Sequence, residues 1–389
     1  TKAGQPPEQP GCEFGPGPVY EVKDTLAALG ALAREVRRKS TAMVFAVTGS
    51  VGKTSTKDAL AAMLGRVCRT VATTANENNE VGVPLTLLAT QPDTEAVVVE
   101  MGMRGLGQIA ALAAVAEPDI GVITNIHPVH LELLGSLEGI AQAKAELIAG
   151  VRAGGAVVVP QDCKILQPYL VDTDRRIGRI VSFSAGVDAC LADVQGWLER
   201  DEGGSGKGGS ACRIMLRWPR GKVQVETGDM PEYRVENIVA AVAACYAARL
   251  SVEECAGGLA EVRFGTGRGQ VLCLPGICVV DDTYNANPAA VRAALDDLVR
   301  LAAERGGRPV AVLGDMLELG PESERYHREI GRYAAEIGVE CLWGVGERAW
   351  AIGEGFREGV AERESSPAMP GPAADHGAEY AVGEYAVGH

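Results

Sequence analysis

The chain has 389 residues with 37 basic and 51 acidic side chains, which gives a formal net charge of −14 at pH 7. Its apolar share of 47% is enough for a large core and excludes global disorder as the expected state. An acidic balance of this size argues against sequence-independent binding to nucleic acid or to an anionic membrane surface. Abundant glycine and only 5% aromatic residues suit an α/β protein with many turns.

The chain shows no targeting or membrane-spanning pattern. No apolar run approaches the roughly 18–20 residues that cross a bilayer, and the first 19 residues lack the apolar segment of a secretory signal. Ten cysteines are scattered singly, without a C-x-x-C pair. We interpret them as reduced residues of a cytoplasmic protein, with an organelle stroma as the alternative compartment.

Strands and helices alternate through the first half of the chain. A loose segment rich in proline and glycine (1–19) precedes a helical pattern over about 22–38. Short apolar runs of buried-strand type then alternate with helical stretches, and these runs are Met43–Thr48, Ala96–Glu100, 120–125 and Ala156–Pro160. The alternation predicts a parallel sheet that is covered by helices on both faces.

The second half is less regular. A weakly alternating region over about 180–230 contains the glycine-rich stretch 203–210, which we interpret as a flexible hairpin loop rather than a phosphate loop. The patterns that follow predict a helix at 235–249, a strand at 279–282, a helix at 288–303 and a new strand–helix pair from 309. We therefore place a domain boundary near 305. The composition after 362 and its EYAVG repeats predict disorder.

The segment GSVGKTS at 49–55 carries the strongest chemical signal. It lies between an apolar strand and a helix, where glycines let backbone N–H groups face an anion and the helix N-terminus adds positive partial charge. Lys53 would add a full charge at the β- and γ-phosphates of a nucleotide, and the Thr54 hydroxyl could bind Mg²⁺. An ordinary glycine-containing turn is the alternative.

Three further residues are candidates for a metal site. Glu100 ends a predicted strand, where α/β sheets bind ligands, and could hold Mg²⁺; the alternative is a solvated carboxylate. His130 follows the next strand, although a single histidine is more often structural. Lys144 falls within the apolar stripe of the helix over 136–150. It either extends its ammonium into water or is buried, loses its proton and takes up CO₂ to become a carbamate ligand for Mg²⁺.

The segment DDTYNANP at 281–288 also follows a strand and precedes a helix. Its side chains could bind ribose hydroxyls or an amide edge. Asn287 before Pro288 also fits a helix N-cap, and both roles are compatible.

These segments, with NENNEVGVPLTLL (76–88), EMGMRG (100–105), TNIHPVHLELLGSLEGIAQAKAEL (124–147) and VLGDMLELG (312–320), resemble the Mur ligase family over roughly 20–360. The resemblance implies an ATP-dependent amide ligase, in which ATP converts a substrate carboxylate into an acyl phosphate that an amine attacks. DDTYNANP and GDMLELG resemble the branch that adds D-Ala-D-Ala to a UDP-N-acetylmuramoyl-tripeptide in peptidoglycan precursor synthesis.

The resemblance also implies roles for individual residues. The ATP-binding set would be Gly49, Ser50, Val51, Gly52, Lys53, Thr54, Ser55, Asn237 near adenine, Arg268 near the phosphates and Asp282 at the ribose. Thr54 and Glu100 would hold a first Mg²⁺, and His130 with a carbamylated Lys144 a second. Lys53, Lys144 and His130 would be the catalytic residues, and Asn78 and Asn79 would face the substrate.

The implied fold is α/β, with a P-loop-type central domain and a partial Rossmann-like C-terminal domain. We expect a remnant of the N-terminal UDP-substrate domain at 1–40, the central domain at 41–305, the partial C-terminal domain at 306–362 and the tail at 363–389. The chain departs from the family pattern at Val51 and at Tyr233-Arg234. We expect a monomer without nucleic-acid or membrane partners. A truncated, non-catalytic nucleotide-binding paralogue and a Mur-type ligase with another amino-acid acceptor remain the alternatives.

Overall fold

The computed structural model describes residues 20–129, 131–171, 176–187, 191–200, 212–227, 230–365 and 380–383. The helices in these ranges are α1 (Thr25–Lys39), α2 (Lys53–Gly65), α3 (Gly82–Leu88), α4 (Gln108–Ala116), α5 (Leu131–Leu134), α6 (Leu137–Gly150), α7 (Gln167–Val171), α8 (Tyr233–Ala247), α9 (Val252–Ala256), α10 (Pro288–Arg305), α11 (Ser323–Glu336) and α12 (Trp350–Ser365). In this part of the chain, no helix combines the length and apolar character needed to cross a membrane.

Four strands lie at the predicted apolar runs, and the described residues form further strands as well. They are β1 (Met43–Thr48), β2 (Thr70–Ala72), β3 (Ala96–Glu100), β4 (Ile120–Ile123), β5 (Ala156–Pro160), β6 (Arg179–Ala185), β7 (Val194–Arg200), β8 (Cys212–Trp218), β9 (Gly221–Thr227), β10 (Gln270–Leu274), β11 (Ile277–Asp281), β12 (Val310–Gly314), β13 (Cys341–Val345) and β14 (Tyr380–Gly383). The glycine-rich stretch 203–210 lies outside the described residues.

One nine-stranded sheet organises the larger part of the molecule. Its strand order is β2-β3-β1-β4-β5-β6-β7-β8-β9. The strands from β2 to β7 pair in parallel, whereas β8 and β9 extend the sheet in antiparallel fashion. The parallel sheet predicted from the apolar runs is therefore confirmed. Since β1 lies between β3 and β4, the carboxyl ends of these three strands lie side by side.

Both faces of this sheet are buried, which explains why its strands consist of nearly unbroken apolar runs. Phe45 and Val47 of β1 pack into a core with α2 and α8. Their neighbours Val44 and Ala46 point to the opposite face, into a core with α4 and α6. Side chains alternate across a strand, so a strand that is covered on both sides needs apolar residues at consecutive positions.

A second, smaller unit has its own core. β12, β13 and β14 form a parallel sheet, and Leu295 of α10 packs in a common core with Ile330 of α11 and Phe356 of α12. β10 and β11 form a separate antiparallel hairpin. The tail that we expected to be disordered includes the end of α12 and the strand β14, and its other residues lie outside the described ranges.

Candidate active site

The loop between β1 and α2 has the backbone that a phosphate-binding loop requires. Gly52 is the N-cap of α2 and adopts a φ of +81°. A Cβ at Gly52 would lie 1.9 Å from the Asn237 side-chain oxygen, and one at Gly49 would lie 1.9 Å from the Thr124 hydroxyl oxygen. Only glycine fits at either position, so both glycines are needed for the course of the loop.

Residues that follow β4 hold this loop in place. The Val51 N–H donates to the Asn125 side-chain oxygen at 2.9 Å, and the Ser50 N–H donates to the Asn125 carbonyl at 3.1 Å. The Thr124 hydroxyl donates to the Val51 carbonyl at 2.6 Å. The sequence analysis assigned no role to Thr124 and Asn125, although both begin the segment 124–147 that resembles the family.

Two lysines meet at one carbonyl oxygen beneath the loop. The ammonium groups of Lys53 and Lys144 each donate to the Gly49 carbonyl at 2.9 Å. Lys144 is 2% exposed, so the predicted apolar stripe of α6 buries it rather than releasing it to solvent. Burial lowers the pKa of Lys144 well below its ordinary value, and the charge of Lys53 lowers it further. Burial also lowers the pKa of Lys53, although the Glu100 carboxylate opposes that shift.

Glu100 presents an unsatisfied carboxylate oxygen next to this loop. The side chain is 1% exposed, and its Oε1 accepts a 2.8 Å hydrogen bond from the Asn78 side-chain amide. Its Oε2 has no hydrogen-bond partner among the described residues. Because an unpaired buried carboxylate oxygen is costly, the site favours a cation there. Thr54, in the first turn of α2, lies in the same cavity and offers a hydroxyl oxygen.

A cavity of about 270 Å³ connects these groups to the second unit. Of the predicted ATP-binding residues, Ser50, Val51, Gly52, Lys53, Thr54, Ser55, Asn237, Arg268 and Asp282 line it, and Asn78 and Glu100 do so too. The Arg268 guanidinium lies 3.7 Å from the centre of the Tyr284 ring. Burial raises the pKa of Asp282.

Not every predicted site residue lies on this cavity. Asn79 is exposed, and its side-chain oxygen instead accepts the N–H groups of Val81 and Gly82 at the start of α3. Lys144 lies beneath the loop rather than on the cavity wall, and His130 is outside the described residues. Asn287 has the expected capping bond, since its side-chain oxygen accepts the Ala290 N–H at 3.0 Å.

The cavity also contains side chains to which the sequence analysis assigned no individual role. His127, Glu236, Asn285 and Tyr233 line it. Burial lowers the pKa of His127 and raises that of Glu236 to about 7. Tyr233 and Glu236 lie three residues apart on α8, whereas His127 follows β4 and Asn285 follows β11. No single motif or spacing therefore joins all four residues in the sequence. In the described part of the chain, three or more His, Cys, Asp or Glu side chains do not cluster as a metal site.

The pattern of the Mur ligase middle domain matches residues 47–245, and that of the Mur ligase glutamate ligase domain matches residues 267–372. The chain belongs to the Mur ligase family. The match to the middle domain includes the phosphate loop, Glu100 and Lys144, and the second match begins next to Arg268. The cavity thus lies where the two matched regions of this Mur ligase meet.

Similar proteins support the same family. UDP-N-acetylmuramoyl-tripeptide–D-alanyl-D-alanine ligase of Escherichia coli K12 is 33% identical over 337 residues, which are 86% of this chain and 71% of the relative. A crystal structure of MurF from Acinetobacter baumannii superposes with a TM-score of 0.76 at 30% identity, over 88% of this chain and 76% of the other. MurF from Thermotoga maritima in complex with ADP gives a TM-score of 0.71 at 28% identity, over 86% and 74%.

Proposed function

We propose that this Mur ligase is an ATP-dependent, ADP-forming amide ligase that adds D-Ala-D-Ala to a UDP-N-acetylmuramoyl-tripeptide in peptidoglycan precursor synthesis. One observation carries the proposal. The phosphate loop, two lysines at the Gly49 carbonyl and a carboxylate with an unsatisfied oxygen come together at the carboxyl ends of three adjacent strands. The relatives that carry this enzyme name are similar over most of the chain.

The chemistry consists of phosphoryl transfer followed by acyl transfer. A carboxylate oxygen of the tripeptide attacks the γ-phosphorus of ATP, which forms an acyl phosphate and releases ADP. The amino group of D-Ala-D-Ala then attacks the acyl carbon, and a tetrahedral intermediate collapses with loss of phosphate and a proton. Such steps need positioning and charge neutralisation more than covalent help from the protein. Lys53 and the N-terminus of α2 supply positive charge where the phosphates would lie.

The described residues fit a Mg²⁺ ion at the phosphate loop. We assign the Glu100 carboxylate and the Thr54 hydroxyl as its protein ligands. Mg²⁺ prefers oxygen donors, and Oε2 of Glu100 has no hydrogen-bond partner among the described residues. Bound there, Mg²⁺ would neutralise charge on the ATP phosphates. Asn78 holds the other Glu100 oxygen and thereby fixes the orientation of the carboxylate.

We also assign Lys144 as a carbamate and, with His130, as ligand to a second Mg²⁺. The lowered pKa of Lys144 provides the neutral amine that reacts with CO₂. The carbamate nitrogen keeps one hydrogen, which can still donate to the Gly49 carbonyl. The new negative charge would lie near the Lys53 ammonium, which stabilises it. Loss of the positive charge at Lys144 would also end the repulsion between the two lysines.

The remaining ATP-binding residues are assigned from their positions on the cavity wall. We assign Asn237 to adenine, Asp282 to the ribose and Arg268 to the phosphates, because all three side chains line the cavity that contains the phosphate loop. We assign Asn78 and Asn79 to the side of the muramyl substrate. We further propose a cytoplasmic monomer, since residues of one chain line the whole described cavity.

The function is tested by product formation. The protein is incubated with ATP, MgCl₂, UDP-N-acetylmuramoyl-tripeptide and D-Ala-D-Ala, and the mixture is analysed by mass spectrometry, with each component omitted in turn. The proposal predicts a UDP-muramyl pentapeptide only in the complete mixture. If ADP binds measurably but no pentapeptide forms, the chain is a nucleotide-binding paralogue without ligase activity. If glutamate or another amino acid replaces D-Ala-D-Ala efficiently, the proposed acceptor is wrong.

A further inference from the structure

The β10–β11 hairpin brings two cysteines face to face. Cys273 and Cys278 are directly opposed in the antiparallel register, and their sulfur atoms are 3.1 Å apart. Opposed residues in antiparallel strands have Cα separations of about 4.5 or 5.5 Å, and both values fall in the range of about 4.4–6.8 Å that a disulfide accepts. The backbone therefore already has the spacing of a disulfide-bonded pair.

The pair is accessible and lies next to a positive charge. Cys273 is exposed and Cys278 is half-buried. The Arg305 guanidinium, at the end of α10, donates a 3.0 Å hydrogen bond to the Cys273 sulfur. A thiolate is the nucleophile of disulfide exchange, and a neighbouring cation stabilises it. The hairpin thus combines an accessible attacking sulfur, a cation and a second sulfur within reach.

Four other cysteines in the described ranges lack this combination. Cys245 and Cys255 are fully buried in the core of the large sheet, which keeps a dissolved oxidant away from them. Cys163 and Cys68 are only partly exposed, and burial raises the pKa of both thiols. Among the cysteines that the structure describes, Cys273 is the exposed one.

We propose that Cys273 and Cys278 form a reversible dithiol–disulfide site that is oxidised by disulfides of the glutathione type. The Cys273 thiolate attacks one sulfur of the oxidant, whose S–S bond breaks, and one thiol leaves. The Cys278 sulfur then attacks the mixed disulfide, which forms the 273–278 bond and releases the second thiol. Two S–H bonds are lost from the protein, and the two electrons and two protons reduce the oxidant to two thiols.

The location of this site connects it to the nucleotide cavity. Arg268 lies just before β10 and Asp282 directly after β11, and both line the cavity. The bond would close a loop of only four intervening residues, so the entropic gain in stability is small. Covalent chemistry at the two sulfurs, rather than melting temperature, is therefore the useful readout.

The chain offers a clean assay for this reaction. Cleavage after arginine and lysine releases residues 269–292 as one peptide that contains Cys273 and Cys278 and no other cysteine. The folded protein is treated with oxidised glutathione, unfolded in an alkylating agent, digested and analysed by mass spectrometry. The proposal predicts that this peptide loses two hydrogen atoms and takes up no alkyl group, and that dithiothreitol restores both alkylation sites. The peptide 235–249, with Cys245 alone, serves as the internal control and stays alkylated.

Variants separate the two steps. In Cys278→Ser, the mixed disulfide cannot resolve, so glutathione is expected to accumulate on Cys273. Arg305→Gln is expected to slow the oxidation by about 3- to 10-fold, because the thiolate loses its cation. The proposal is overturned if the 269–292 peptide of the wild-type protein keeps two alkylation sites, or if wild-type Cys273 accumulates a glutathione adduct as stably as Cys278→Ser does.

Discussion

Lys144 and the Gly49 carbonyl that accepts its hydrogen bond are 95 residues apart in the sequence. The spacing of apolar residues on α6 was enough to predict that Lys144 falls within the buried stripe. It could not predict the partner, because the Gly49 carbonyl reaches Lys144 only through the fold of β1 and the loop after it. Glu100 is a similar case. Its strand was predictable, but the sequence could not show that Asn78 binds only one of its carboxylate oxygens and that the other has no partner among the described residues.

Removal of the Lys144 side chain tests the carbamate directly. We expect Lys144→Ala to lower kcat by at least about 100-fold, because a charged ligand of the reacting centre is lost. A short carboxylic acid such as acetate should restore part of the activity, since its carboxylate can replace the carbamate. Lys164→Ala, which removes an exposed lysine, should leave kcat unchanged. Normal turnover by Lys144→Ala would show that the assignment is wrong.

Glu236 makes the folding stability of the protein depend on pH. Its pKa is raised by burial from 4.5 to about 7, so between these pH values the folded protein holds a proton that the unfolded chain has released. Stability of the nucleotide-free protein should therefore fall as the pH rises from about 4.5 to 7, by roughly 1–3 kcal/mol from this group.

Glu236→Gln is the matched variant for this effect, because glutamine cannot ionise. The melting temperature of Glu236→Gln relative to wild type should rise with pH over that interval and level off above about pH 7. Glu261 is exposed, so the melting temperature of Glu261→Gln should follow that of the wild type at every pH. A constant difference in melting temperature between Glu236→Gln and wild type would contradict the assignment.

The strands of the large sheet were predictable to different degrees. β1, β3 and β5 begin and end at the bounds of their predicted runs, because burial on both faces favours apolar residues at nearly every position of these strands. β8 and β9 lie beyond the parallel part of the sheet, and they gave only a weak alternating pattern. β10 was missed although Pro275-Gly276 is a strong two-residue turn signal.

The conformation of the loop before α2 requires glycine at position 52. Gly52→Ala should weaken ADP binding by at least about 10-fold, because a Cβ there would collide with Asn237 and the residue would need a positive φ. Gly65→Ala, at the other end of the same helix, meets no atom within 4 Å and should bind ADP as the wild type does. Calorimetric titration with ADP compares the two, and equal affinities would contradict this view of the loop.

The two units of the molecule are joined by contacts that sequence patterns cannot reveal. The sequence placed a boundary near 305, between α10 and β12. Leu295 of α10 packs in the core of the smaller unit, and the family matches leave a gap between 245 and 267. We propose that the boundary lies in that gap. The amphipathic pattern of a helix is the same whichever core its apolar face joins. The pattern of α10 therefore could not show to which unit the helix belongs.

Asp297 is a contact between the two units. Its carboxylate oxygens accept the Glu232 N–H at the start of α8, at 3.1 and 2.9 Å. Asp297→Ala should speed amide hydrogen exchange in the first turn of α8 by about 5- to 30-fold, since a buried capping bond of roughly 1–2 kcal/mol is lost. Asp296→Ala, whose partner Tyr333 belongs to the same unit, should leave that turn unchanged. Equal effects of both variants would rule out the proposed junction.

The central claim is that this chain couples ATP cleavage to amide formation, and phosphate release tests it most directly. ATP and Mg²⁺ are supplied with UDP-N-acetylmuramoyl-tripeptide, with D-Ala-D-Ala, and with both. We predict sustained phosphate release only when both substrates are present, because the acyl phosphate must form and then be attacked. Release that is the same with and without the two substrates, or no release despite measurable ADP binding, would contradict the account.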